Sequence, residues 1–174
     1  MKIIAFGATS STKSINVQLA RLAASLVASA DVEVLDLNNY EMPLFSEDQE
    51  AQIGQPQLAK EFLAKISDAD AIIVSFAEHN GSYTAAYKNI LDWSTRIDRN
   101  VFQNKPAIFL ATSPGPGGAS SVLATAVGSA QFFGADIKAS LSIPSFYDNF
   151  DVETGTLRNP ELQKQLTEVM KSLS

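Results

Sequence analysis

A run of hydroxyl side chains follows the first apolar segment of the chain. Four consecutive hydroxyl residues occupy positions 9–12, and a fifth, Ser14, precedes a segment of helical periodicity. Hydroxyls and the free backbone amides of a helix N-terminus are neutral donors that suit an anion, and Lys13 adds one cation. The loop therefore predicts a phosphate site, with a simple helix cap at Ser14 as the alternative interpretation.

Two nucleotide-binding motifs overlay this loop incompletely. The P-loop pattern GxxxxGK[ST] fits residues 7–14 except that Thr12 stands in place of the second glycine. The third apolar segment also ends in Ser75 and Phe76, without the aspartate that would bind magnesium. The dinucleotide fingerprint GxGxxG finds only Gly7. The loop consequently favours a single terminal phosphate over a triphosphate or a dinucleotide.

A second polar loop, residues 77–82, follows the third apolar segment and reads Ala-Glu-His-Asn-Gly-Ser. Asn80 and Gly81 predict a tight turn, and Ser82 is predicted to cap the helix that follows. Gly81 would let the backbone approach the polar edge of a flat heterocycle. An ordinary strand-to-helix turn with His79 on the surface is the alternative.

The third loop, residues 112–119, is poor in side chains. It holds two prolines, which fix φ, and three glycines, which leave the approach to the next helix bare. Such a loop suits a ring system or a second planar ligand beside it. A stiff turn before a helix of small residues is the alternative.

These loops need a scaffold that brings them to one edge. Five apolar runs predict strands at 2–6, 32–37, 71–76, 107–112 and 137–143. Helical patterns alternate with them at 15–26, 56–66, 82–97, 119–133 and 160–173. This alternation predicts a three-layer α/β fold in which ligands bind where the parallel strands end. Segments 38–55 and 144–159 are predicted to be long loops without core residues, of a length that is often functional.

Composition narrows the function further. The 174 residues include no cysteine and one histidine, and the net charge is −6. Disulfides, thiolate catalysis and cysteine-ligated metals are excluded, and we expect no metal site. The acidic balance predicts no nucleic-acid partner, and no apolar run approaches the ~20 residues of a membrane span. With no secretion signal at the N-terminus, we expect a single cytoplasmic domain over 1–174.

At these loops the sequence resembles the NAD(P)H-dependent FMN reductases, a family of flavodoxin-like fold that includes quinone, azo-dye and chromate reductases. The resemblance spans nearly the whole chain and rests on three patterns: Ser14-Ile15-Asn16 before Leu19-Ala20; Glu78-x-Asn80-Gly81-Ser82 leading to Lys88-Asn89-x-x-Asp92-Trp93; and Ser113-Pro114-Gly115 with Gly117-Gly118. It implies a five-stranded parallel sheet of order 2-1-3-4-5 with helices on both faces. The chain departs from the pattern at Ala77, His79 and the first loop, which lacks the usual arginine.

The resemblance also implies a cofactor and its ligands. FMN would accept hydride from NADPH or NADH and pass it to a small-molecule electron acceptor, with no catalytic residue supplied by the protein and no metal. The implied FMN-binding residues come from all three loops: Thr9, Ser11, Ser14, Ile15, Asn16, Glu78, His79, Asn80, Gly81, Ser82, Ser113, Pro114, Gly115, Gly117 and Gly118.

Two further expectations concern function class and assembly. A flavodoxin-like FMN electron carrier without NAD(P)H turnover is the alternative to a reductase. Large apolar residues crowd the helix after the second loop, which predicts a homodimer or homotetramer: Tyr83, Tyr87, Ile90, Leu91 and Trp93. The resemblance assigns Trp93 chiefly to stabilising the helix that packs in the family's dimer.

Overall fold

The computed structural model describes residues 1–173 and contains one parallel sheet of five strands. The strands are β1 (Lys2–Ala8), β2 (Asp31–Leu35), β3 (Ala71–Phe76), β4 (Pro106–Thr112) and β5 (Asp136–Ile143). Their order across the sheet is β2-β1-β3-β4-β5. The predicted fold class and strand order are confirmed. The order reverses next to β1, so the loops after β1 and β3 flank the switch point where such sheets bind ligands.

Helices cover both faces of the sheet. They are α1 (Ile15–Ser25), α2 (Glu47–Ile53), α3 (Gln57–Ser67), α4 (Ala85–Ile97), α5 (Ser120–Ser129), α6 (Phe146–Asn149) and α7 (Pro160–Lys171). Helices α1 and α7 pack on one face through residues such as Leu19 and Leu166. Helices α3, α4 and α5 pack on the other through Phe62, Ile90 and Val122.

The central strands are apolar along nearly their whole length because both of their faces are covered. In β3 every residue is buried, and alternate side chains enter opposite cores: Ile72 and Val74 face α3 and α4, whereas Ile73 faces α1. Strand β5 lies at the sheet edge and alternates between exposed and partly buried residues, which explains its weaker apolar pattern.

Several predicted boundaries are wrong by a few residues, for local reasons. Strand β2 ends at Leu35 because the Asp36 carboxylate accepts from the amide of Asn38 and begins the 3₁₀ turn Leu37–Tyr40. The predicted helix 119–133 is α5 followed by a second 3₁₀ turn, Ala130–Phe133. Helix α7 ends at Lys171, two residues earlier than predicted.

The two long segments expected to lack core residues carry structure, so that expectation is wrong. Segment 38–55 contains most of the first 3₁₀ turn and α2, and it buries Tyr40 and Met42. Segment 144–159 contains α6 and the hairpin of β6 (Phe150–Asp151) with β7 (Thr156–Leu157). Their aromatic and aliphatic side chains are sparse in the sequence, yet they complete the two cores at the rim of the sheet.

The crowded aromatic face of α4 points into the protein itself. Trp93 is fully buried, its Nε1 donates to the carbonyl of Pro43 at 2.7 Å, and its ring meets that of Phe45 edge-on at 5.0 Å. Tyr87 and Ile90 are buried against the sheet. This burial agrees with a helix-stabilising role for Trp93, but it removes Trp93 from the free apolar surface on which the assembly prediction was based, because the chain's own 42–45 segment covers it.

Candidate functional site

The loop between β1 and α1 holds a row of backbone amides without internal partners. Ser14 is the N-cap of α1, as its alternative interpretation holds, and its Oγ accepts from the amides of Asn16 and Val17 at 3.1 and 3.3 Å. Within residues 1–173, the four successive amides from Thr12 to Ile15 donate to no protein acceptor. Ser11 and Lys13 are exposed beside them. The loop therefore presents amides, hydroxyls and one cation to a common region.

Asn16 lies beneath this loop, and protein groups occupy its side chain. Its Oδ1 accepts from the Ser75 hydroxyl at 2.8 Å and from the Thr112 amide at 3.1 Å, and its Nδ2 donates to the Thr112 carbonyl at 3.1 Å. All three residues are buried. Asn16 thus fastens the start of α1 to the carboxyl ends of β3 and β4 and forms the floor of the loop.

The second loop is a two-residue hairpin turn. His79 and Ser82 exchange both backbone hydrogen bonds, at 3.0 and 3.1 Å. Asn80 and Gly81 between them have φ of 52° and 76°, the left-handed conformation that Asn-Gly supplies in such turns. The predicted tight turn is confirmed.

Ser82 does not cap α4, contrary to the prediction, because it closes this turn. The cap is Thr84, whose Oγ1 accepts from the Tyr87 amide at 3.3 Å and donates to the Ala8 carbonyl at 2.8 Å. Thr84 thereby ties the start of α4 to the end of β1.

Glu78 joins the second loop to the third. Its Oε2 accepts from the amide of Val122 at 2.8 Å, in the first turn of α5. The cap residue of α5, Ala119, has a left-handed backbone and no side-chain cap of its own. Glu78 therefore supplies the missing cap from 44 residues away, and its negative charge offsets the positive end of the α5 dipole.

The third loop fits closely against β5 at Gly118. This residue has φ of 58°, and a Cβ placed on it would lie 2.3 Å from the Ser142 hydroxyl oxygen. That hydroxyl donates to the Gly118 carbonyl at 2.8 Å. A side chain at this position is excluded both by backbone conformation and by space, so Gly118 shapes the loop from below.

The ends of β1, β3 and β4 enclose a cleft of about 220 Å³. Nine of the predicted site residues line it: Thr9, Ser11, Ser14, Ile15, Asn16, Glu78, His79, Ser113 and Pro114. Six do not and instead build the two turns beside it: Asn80, Gly81, Ser82, Gly115, Gly117 and Gly118. The cleft is also lined by Lys13, Ala77, Thr112 and Tyr147.

Thr112 and Tyr147 are absent from the predicted set. Thr112 is the last residue of an apolar strand, so its position at the carboxyl end of that strand is the signal that identifies it. Tyr147 belongs to the long segment after β5. In the sequence only the length of that segment indicates a function, and no single residue within it is distinguished.

Two helix N-termini border this cleft, and they differ in charge. The first turn of α1 contains no acidic residue, whereas α5 already holds the Glu78 carboxylate. An anion is therefore favoured at α1 and disfavoured at α5. Among residues 1–173, no cluster of three or more acidic or histidine side chains is arranged to hold a metal ion. None of the helices in that range is long and apolar enough to cross a membrane.

Known structures share this fold. The flavoenzyme NAD(P)H:(acceptor) oxidoreductase FerB from Paracoccus denitrificans superposes with a TM-score of 0.81 at 22% identity, covering 99% of this chain and 94% of the other. An azoreductase, AzrA, superposes with a TM-score of 0.64 at 17% identity, covering 100% and 99%. At such identities the likeness establishes the flavodoxin-like architecture.

Sequence relatives match part of the chain. A NADPH:quinone oxidoreductase of Arabidopsis thaliana is 36% identical over 95 residues, which are 55% of this chain and 47% of that protein. A 2-hydroxy-1,4-benzoquinone reductase of Burkholderia sp is 35% identical over 104 residues, 59% and 55% respectively. The chain thus spans about half the length of these curated relatives.

A family model matches a longer stretch of the chain than either of these relatives does. The sequence model described as NADPH-dependent FMN reductase matches residues 1–146, which include every strand of the main sheet and all three loops of the cleft. With the switch-point cleft and the confirmed strand order, this match shows that the chain belongs to the NADPH-dependent FMN reductase family.

Proposed function

We propose that this chain is an FMN-containing oxidoreductase that takes hydride from NADPH or NADH and delivers it to a small acceptor of the quinone or flavin class. The observation that carries the proposal is the row of amides from Thr12 to Ile15, which lack acceptors within the described residues at an α1 terminus free of acidic side chains. That row is a site for a dianionic phosphate, and the rest of the cleft extends from it towards two loops suited to a ring.

The donor set fits the phosphate of FMN. Thr9, Ser11 and Ser14 contribute hydroxyls, the loop contributes amides, and Lys13 contributes one cation. The only carboxylate lining the described cleft is that of Glu78, and its Oε2 is engaged by Val122. A phosphate therefore meets donors at one end of the cleft and no free acidic oxygen there.

The other end of the cleft suits the isoalloxazine ring. Ala77, Glu78 and His79 line one side, and Ser113 and Pro114 line the other. We assign the predicted turn residues Asn80, Gly81, Ser82, Gly115, Gly117 and Gly118 to the support of these walls. When bound, FMN supplies the hydride-transfer chemistry, and the protein holds and orients the rings.

The proposed hydride transfer does not require an acid or base from the protein, and the cleft residues fit this. The single histidine of the described cleft lies exposed in a turn, and the carboxylate of that cleft caps a helix. Among the described residues lining the cleft, Lys13 is the only cation. No second positive charge there would favour the 2′-phosphate of NADPH over NADH, so we propose that both nicotinamides serve as hydride donors. The quinone class of acceptor is supported by the names of the two relatives.

We also propose that residues 1–174 form one domain, that the protein is cytoplasmic, and that it assembles as a homodimer or homotetramer. Because the apolar face of α4 is covered by its own chain, it no longer supports assembly. The proposed assembly is supported instead by exposed apolar residues on the connection between β2 and α3, where Leu44 is 79% and Ile53 is 48% exposed. The negative net charge supports the absence of nucleic-acid and anionic-membrane partners.

Anaerobic mixing tests the activity. FMN-loaded protein is combined with NADPH or NADH, and the absorbance of the oxidised flavin is followed. Bleaching on the timescale of turnover, with recovery of colour on adding a quinone, is the expected result. Tight FMN binding without bleaching by either nicotinamide would assign the chain to the electron carriers instead. Failure to bind FMN would reject both functions.

A further inference from the structure

Tyr147 stands at the rim of the cleft without an assigned role. It is 62% exposed, yet it is one of the residues that line the cleft together with Lys13, Ser14 and Pro114. It lies one residue beyond the range 1–146 that matches the family.

The fold fixes the position of Tyr147. The amides of Ser145 and Phe146 donate to the carbonyls of Gly115 and Ser113 at 2.9 and 3.0 Å, which fastens the segment to the third loop. Phe146 is fully buried and stacks on Phe150 at 4.5 Å between ring centroids. The backbone at Tyr147 is therefore held between two buried residues, Phe146 and Phe150.

The two faces of the sheet show which end of the cleft Tyr147 borders. Phe146 belongs to the same core as Leu19 of α1, whereas the helices that follow the second and third loops pack on the opposite face. Helix α1 begins at the amide row assigned to phosphate. Tyr147 therefore follows a residue that packs on the α1 face of the sheet, and it lines the cleft together with Lys13 and Ser14 at the start of α1.

The structure assigns Tyr147 as a specificity-determining residue whose hydroxyl donates a hydrogen bond to the phosphate of the bound flavin. The inference rests on the proposed function. A phenol donor adds to a set that contains only one cation, Lys13, among the described lining residues. Hydrogen bonds to charged acceptors are stronger than those between neutral groups, so this donor selects FMN over riboflavin, which has no phosphate.

The test compares flavin affinities of the full chain and two matched variants. Apoprotein is titrated with FMN and with riboflavin, and binding is followed by the change in flavin fluorescence. Tyr147→Phe removes the hydroxyl and keeps the ring. Tyr83→Phe is the control, since that hydroxyl lies 3.4 Å from Ser129 on the opposite face.

The parent chain tests the proposed function, and the variants test Tyr147. We expect the parent to prefer FMN, Tyr147→Phe to bind FMN about tenfold more weakly with riboflavin affinity unchanged, and Tyr83→Phe to match the parent. Unchanged FMN affinity in Tyr147→Phe, or an equal loss for both flavins, overturns the inference while leaving FMN binding by the parent intact. A parent that does not prefer FMN overturns the proposed phosphate site itself.

Discussion

The hydroxyl of Ser75 donates to Oδ1 of Asn16 across 2.8 Å, and this bond joins the centre of the sheet to the first turn of α1 in a fully buried setting. Thr112 completes the arrangement with two further bonds. The side chain that the sequence assigned to phosphate is thus committed to the scaffold below it. Substituting Asn16 therefore distinguishes a structural role of this side chain from direct binding of the phosphate.

Asn16→Ala is expected to destabilise the protein even without flavin. It removes the hydrogen bonds that Asn16 makes with the Ser75 hydroxyl and with the backbone amide and carbonyl of Thr112, and each buried group left without a partner costs about 1–3 kcal/mol. We expect a loss of roughly 2–4 kcal/mol in the free energy of unfolding of the apoprotein, measured with urea. Gln18→Ala, on a less buried position of the same helix, serves as the control. Unaltered apoprotein stability would return Asn16 to a purely ligand-binding role.

Ser14→Asp tests the phosphate by charge. Aspartate caps helices as well as serine does, so we expect the melting temperature to stay near that of the parent. A carboxylate beside the phosphate should weaken FMN binding by at least about tenfold, equivalent to 1.4 kcal/mol, and leave riboflavin binding unaffected. Asn159→Asp makes a comparable change at the cap of α7, remote from the cleft. Parental FMN affinity in Ser14→Asp would reduce Ser14 to a helix cap.

Glu78→Ala tests the link between the second and third loops. It removes the only side-chain cap of α5 within the described chain, and we expect a loss of about 1 kcal/mol in the free energy of unfolding. Glu78→Gln keeps an acceptor and should recover much of that loss. Because the link supports the ring end of the cleft, Glu78→Ala should weaken FMN and riboflavin equally. A selective loss of FMN binding would place Glu78 near the phosphate and contradict this assignment.

Trp93→Phe distinguishes an internal anchor from an interface residue. The change removes the hydrogen bond to Pro43 and part of the contact with Phe45. We expect a lower free energy of unfolding, by roughly 1–3 kcal/mol, and an unchanged oligomeric mass by light scattering. A mass that falls on dilution in the variant but not in the parent would instead give Trp93 a role in the interface.

The sequence was sufficient for the sheet and for the location of the cleft. Near-continuous apolar runs identify strands covered on both faces, and the Asn80-Gly81 pair identifies its turn, because both signals are local. Thr84 could not be distinguished from Ser82 as the cap of α4, since the choice depends on a contact with Ala8, 76 residues away. The partner of Glu78 and the inward face of Trp93 likewise depend on distant segments. Tyr147 reaches the cleft only through anchoring of its segment to the third loop.

The buried hydrogen bonds of Asn16 have a consequence for how a ligand would be received. The floor of the cleft is fully bonded by the chain itself, so it needs no ligand to form. Ordering on binding then falls mainly on the exposed residues 10–13, and the conformational entropy lost per molecule bound is small. Such a receptor is pre-organised. Flavin would be able to leave and return without unfolding the protein, which makes reversible loading from a free cellular pool compatible with this fold.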